Sequence, residues 1–162
     1  MKKMCLGLCL LMIISGCQKQ SQNDLSDTYQ EDYSHETTNK QNKGDNDMQQ
    51  LTLTIHHQDF SVTLEDNATV TEFMKYLPMT ITMDELHGNE KYYYMNQKLP
   101  TNAQSVDFIE AGDLMLFGDN CLVLFYKSFQ TSYTYTRLGH VDDVNGFIKQ
   151  IDSNSLQVNI YQ

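Results

Sequence analysis

The chain has 162 residues, sets 21 acidic side chains against 11 basic ones for a formal net charge of -10, and holds 4 Cys, 2 Pro and no Trp. That balance excludes nucleic acid as a partner, because phosphate backbones are gripped by basic faces that displace counterions. It equally excludes a polybasic hold on anionic lipid.

Taken in chain order, Lys2-Lys3 precede an apolar run from Met4 to Ile14, which ends in Ser15-Gly16-Cys17. A basic start, a short apolar core and a small-residue cleavage site read as a secretory signal peptide. The run is too short to span a bilayer, which takes about 20 apolar residues. Ile14-Ser15-Gly16-Cys17 resembles the lipobox of bacterial lipoproteins. The resemblance implies loss of residues 1–16 and acylation of Cys17, at its sulfur and its new amino group, with chains such as palmitate. The protein would then sit lipid-anchored on the extracytoplasmic face of the cell membrane, since two acyl chains hold stably where one holds marginally. Losing Lys2 and Lys3 takes the charge from -10 to -12. Cys5 and Cys9 leave with the leader, so Cys121 remains as a single thiol without a disulfide partner.

Residues 17–50 are rich in Gln, Asn, Asp, Ser, Thr and Lys and cannot bury enough surface to offset ordering entropy. They are expected to form a disordered tether reaching about 30 Å from the bilayer. The folded domain is expected over 51–162. Leu51, Leu53 and Ile55 alternate with polar residues as a half-buried strand. His57-Gln58-Asp59 reads as a turn into a second strand carrying Phe60, Val62 and Leu64. His56 and His57 would point to opposite faces of an extended chain, which discounts a shared metal.

Thr69-Val70-Thr71-Glu72 has the form of a capping box. It opens a helix with Val70, Phe73, Met74 and Leu77 on one face, stopped at Pro78. Met79, Ile81 and Met83 alternate on a third strand, and the Gly88-Asn89 turn leads to Tyr92-Tyr93-Tyr94 on a fourth. Leu99 to Ser105 reads as a loop. Gly118-Asp119-Asn120 joins Leu114–Phe117 to the Cys121–Tyr126 run in a hairpin. The strand Tyr133–Leu138 follows, then a helix over Val144–Ile151 with Val144, Phe147, Ile148 and Ile151 inward, then a last strand with Leu156, Val158 and Ile160. Mainly β, with about eight strands and two short capping helices, this is the pattern of a small closed antiparallel barrel.

Several segments, Met83–Tyr94, Leu99–Asn102, Ala111–Leu114, Gly118–Phe129, Ser132-Tyr133 and Tyr135–Gly139, together resemble the bacterial cyclophilin-like domain family. The likeness covers essentially all of 51–162 and implies the barrel shared with prolyl isomerases. Those enzymes set a guanidinium beside an aromatic pocket to stabilise the twisted amide. Here the one arginine, Arg137, lies late in the barrel, and the stretch near Tyr92-Tyr93-Tyr94 offers none. The expectation is therefore a binding module for a peptide, protein or small ligand rather than an enzyme. An isomerase-like enzyme and a passive assembly lipoprotein are the alternatives.

Two clusters are candidate ligand sites. Tyr133, Tyr135 and Arg137 share a strand face on which an arginine beside tyrosines presents a fork to a carboxylate or a backbone. The plainer reading pairs Arg137 with one of the many carboxylates. Asn89, Glu90, Tyr92 and Tyr94 form the second cluster, where a glutamate near apolar rings can act as an acid; the plainer reading is a turn carboxylate among barrel-filling rings. Asp142-Asp143 reads as a helix cap. No motif asks for a cofactor or a metal: there is no Ser-His-Asp pattern, phosphate-cradling glycine loop or clustered ligand set.

Overall fold

The computed structural model describes residues 49–152 and 154–162. The leader 1–16, Cys17 and the polar segment through residue 48, on which the anchoring and tether expectations fall, lie outside the described residues.

Among the described residues, eleven strands and two α-helices follow in chain order: β1 Gln50–Ile55, β2 Gln58–Leu64, α1 Ala68–Phe73, β3 Met79–Leu86, β4 Glu90–Tyr94, β5 Gln104–Ser105, β6 Phe108–Ile109, β7 Asp113–Phe117, β8 Cys121–Phe125, β9 Phe129–Gln130, β10 Thr134–Val141, α2 Val144–Ile148 and β11 Leu156–Tyr161. Eight of the strands pair antiparallel in the order β2-β1-β11-β3-β4-β8-β7-β10, and β10 pairs back onto β2. The barrel is closed, as the alternation predicted. β5 adds to β10, and β6 and β9 form a separate two-stranded ribbon.

Alternating apolar positions fill the interior. Leu53 lies opposite Phe60 in the β1–β2 register, and both are buried with Val62, Ile81, Leu116, Leu124 and Val158. Each helix contributes one fully buried ring, Phe73 from α1 and Phe147 from α2, and Phe147 meets Phe60 edge to face at 6.2 Å. A second cluster of Met115, Cys121, Val123, Phe125 and Tyr135 lies apart from this core, with Tyr92 and Phe129 packed against it. β8 is thus buried on both faces, which explains why it reads as one continuous apolar run.

Four local expectations are corrected. The β1–β2 turn is His56-His57, with φ of 48° and 64°, and not His57-Gln58-Asp59. Two left-handed residues give the twist that a two-residue hairpin needs, so the two histidines are turn residues rather than opposite faces of a strand. The cap of α1 is Asn67, whose Oδ1 accepts from Val70 N at 2.9 Å. The helix starts one residue before the anticipated box, which frees the Thr69 hydroxyl to donate to Pro100 O at 2.8 Å. α2 ends at Ile148, and single turns closed by Gln150 N on Phe147 O and Ile151 N on Ile148 O carry the chain onward. Ile148 is exposed, because its neighbour Phe147 takes the inward position and successive residues diverge by 100° around a helix. The Leu99–Ser105 loop ends in β5, where Ser105 pairs with Thr134.

Candidate functional site

In β4 the side chains alternate, so Lys91 and Tyr93 turn inward while Glu90, Tyr92 and Tyr94 turn outward. The β4-β8-β7-β10 order then places these outward residues beside Cys121 and Val123 of β8, Phe117 of β7 and Tyr135 of β10. A cavity of about 410 Å³ opens over this outer face, bounded further by Leu86, His87 and Asn89 of the β3–β4 hairpin and by Phe129 and Tyr133.

Its walls are aromatic. Tyr92 and Tyr94 meet edge to face at 5.8 Å, Phe117 meets Tyr133 the same way at 6.0 Å, and Phe117 lies tilted against Tyr135 at 5.6 Å. Tyr94, Phe117 and Tyr133 remain exposed at the mouth, whereas Tyr135 is buried. Asn89, Glu90, Tyr92, Tyr94, Tyr133 and Tyr135, drawn from both sequence clusters, therefore share one cavity. Phe117, Phe129, Cys121 and His87 join them, a convergence that no local pattern in the sequence displays.

Arg137 does not join them. It lines a separate, polar hollow of about 340 Å³ with Glu65, Asp66, Asn67 and Asn102, and Tyr135 stands between the two hollows, lining both. The Arg137 guanidinium lies 3.6 Å from the buried Asp113 carboxylate, which also contacts His140 Nδ1 at 3.1 Å and accepts from Glu110 N at 2.9 Å. A register shift between Arg137 and Gly139 marks a bulge there. A Cβ on Gly139 would stand 2.5 Å from Thr63 O, so the close approach of β2 demands glycine.

The electrostatics of the large cavity are one-sided. None of its twelve lining residues is a lysine or an arginine. Burial pushes the Glu90 carboxyl above its ordinary value, with His87 pulling it down and Glu85 adding to the rise. Burial likewise raises the Cys121 thiol and takes the Tyr135 phenol up to about 12, and the charge of Glu90 reinforces both. The thiol is thus a poor nucleophile, in keeping with a packed core cysteine. Among the described residues, Asn89 Oδ1 is buried without a hydrogen-bond partner.

The hairpin that brings Glu90 here is pinned from inside the barrel. Lys91, with none of its side chain exposed, reaches Glu85 Oε2 at 2.7 Å and donates to the carbonyls of Asp152 and Asn154. Sequence reasoning missed this residue, although its place on the inward phase with Tyr93 is the signal that finds it.

A closed antiparallel barrel with two short helices and a ligand-sized cavity on its outer sheet face defines a β-barrel of the cyclophilin type. The family model described as the cyclophilin-like family matches residues 53–161, and the chain belongs to that family. Comparison with curated proteins finds no match.

Proposed function

We propose that this protein is a membrane-anchored extracytoplasmic lipoprotein whose barrel binds a ligand in the aromatic cavity without chemically altering it. The observation that carries the binding reading is the cavity itself: rings from four strands and a half-buried carboxylate converge there, with three of the rings left exposed at its mouth. Concave, mostly aromatic sites with a few placed polar groups are the usual form of ligand pockets. Against an isomerase stands the charge of the cavity. Stabilising a twisted amide calls for a donor fork, and the only guanidinium in the sequence belongs to the polar hollow beyond Tyr135.

The anchoring part rests on Lys2-Lys3, the apolar run and Ser15-Gly16-Cys17. Intact mass of the membrane-extracted protein is expected to show a chain beginning at Cys17 plus acyl groups, and Cys17→Ser to release it from membranes. The binding part is tested by thermal shift, because any ligand selective for the native state raises the melting temperature. A panel of peptides and metabolites should yield shifts that Tyr94→Ala abolishes. A proline tetrapeptide assay run in parallel is expected to show the uncatalysed rate, and acceleration by the wild type would replace this reading with the enzymatic one.

A further inference from the structure

We infer that the aromatic cavity selects an organic cation, an ammonium or guanidinium group held among Tyr92, Tyr94, Phe117 and Tyr133 and countered by Glu90. The inference deepens the binding reading above and rests on it.

Three observations lead to this charge class. The first is the ring set. Aromatic faces carry negative potential and attract cations within about 6 Å of the ring centroid, and clustered rings are the means by which ammonium groups are recognised. Here two edge-to-face pairs, Tyr92 with Tyr94 and Phe117 with Tyr133, line one cavity.

The second is the state of Glu90. It is partly buried in that cavity, and among the described residues no lysine, arginine or histidine makes an ion pair with it. A neutral apolar ligand filling the space would strip more water from the carboxylate and return nothing. A cation would remove the same water and supply the missing charge. Electrostatics thus separates two ligands of equal shape.

The third is the surrounding field. From Gln49 to Gln162 the chain carries six basic and fourteen acidic side chains, a net charge of -8. Such a field draws cations toward the barrel and repels anions.

The test uses the full-length chain and choline, set against its neutral isostere in which a quaternary carbon replaces the nitrogen. Capped lysine and capped arginine amides form further arms, separating a free small cation from a basic side chain of a peptide. Choline is expected to raise the melting temperature with dose and to shift the ring resonances of the wild type, while the isostere leaves both unchanged. Glu90→Gln should weaken choline about tenfold, equivalent to about 1.4 kcal/mol, and Tyr94→Ala comparably. Asp59→Asn, which removes the same unit of charge away from the cavity, should leave affinity within about twofold. The ring resonances of the wild type report binding even where a variant fails to fold. Equal binding of choline and isostere, or binding of a proline tetrapeptide alone, overturns the cation inference and leaves the binding reading standing. Silence from every probe in the panel overturns both.

Discussion

Lys91 and Glu85 face each other across the β3–β4 register, and their side chains close a 2.7 Å ion pair beneath the hairpin that carries Glu90. Glu85 Oε1 is taken by Gly88 N at 2.7 Å and Tyr126 Oη at 2.9 Å, while the ammonium also binds Asp152 O and Asn154 O. Removing one partner of a buried pair strands the other, at a cost of about 3–5 kcal/mol. Lys91→Ala is therefore expected to lower the unfolding free energy by that much, read from the midpoint and slope of a urea titration. Lys91→Met combined with Glu85→Gln should recover part of the loss, because neither charge is then left alone. A double variant no better than Lys91→Ala would show that the carbonyl contacts to Asp152 and Asn154, and not the ion pair, hold this corner.

Glu85 and Glu90 lie five residues apart and are both pushed up by burial, yet they end on opposite sides of the ordinary carboxylate value of 4.5. For Glu85 the hydrogen bonds from Lys91, Tyr126 and Gly88 N outweigh burial, and its carboxyl is lowered. Its stabilisation is present above the unfolded value and fades as pH falls through the folded one. For Glu90 burial prevails, so the folded state holds its proton longer, and stability fades as pH rises through the raised value. Glu85→Gln should accordingly destabilise at neutral pH and flatten the acid limb of a urea-midpoint profile. Glu90→Gln should stabilise at neutral pH, with the difference vanishing below pH 4.5. The two profiles must move in opposite directions if the ion pair beneath the hairpin is what separates these carboxylates.

How far the sequence reached follows from the range of each interaction. Period-two alternation at Leu51, Leu53 and Ile55 or Leu156, Val158 and Ile160 is local, and it marks the strands of the barrel wall. Glu90, Tyr92 and Tyr94 share a face for the same local reason. What places Phe117 and Tyr133 opposite them is the pairing of β4 with β8, β8 with β7 and β7 with β10, which no window of a dozen residues contains. Arg137 was legible as an outward residue of its strand, but the bulge before Gly139 and the pull of Asp113 assign it to the other hollow. The His56-His57 turn escaped because glycine or asparagine is the usual mark of two left-handed residues, and this hairpin uses neither.

Asn67 and Glu72 separate the observed cap of α1 from the one that the sequence suggests. Asn67 accepts from Val70 N through Oδ1, and its Nδ2 donates to Arg137 O at 2.9 Å, tying the helix start to β10. Glu72 instead pairs with the exposed Lys75 at 2.7 Å, one helical turn on. Asn67→Ala should therefore cost about 1–2 kcal/mol in urea unfolding, the worth of a cap plus a neutral hydrogen bond. Glu72→Gln should leave the midpoint where it is. A comparable loss from both variants would mean that Glu72 takes part in capping in solution.

Among the described residues, Tyr126 and Tyr135 are the two tyrosines whose phenols rise to about 12. Burial leads in both cases. Tyr126 also donates to the Glu85 carboxylate, so its ionisation would set one negative charge against another, and Tyr135 feels Glu90 across the cavity. In the unfolded chain both phenols lose their protons near the ordinary value of 10. The native state therefore binds more protons between these limits. The stability that these two groups contribute is complete below pH 10 and drains away as pH climbs toward 12. Titration by tyrosinate absorbance should show a late class of two groups, with unfolding setting in as they ionise. Tyr126→Phe and Tyr135→Phe should each remove one member, and the Tyr135 member should fall part of the way toward 10 in Glu90→Gln, which deletes a charge that adds to the effect of burial.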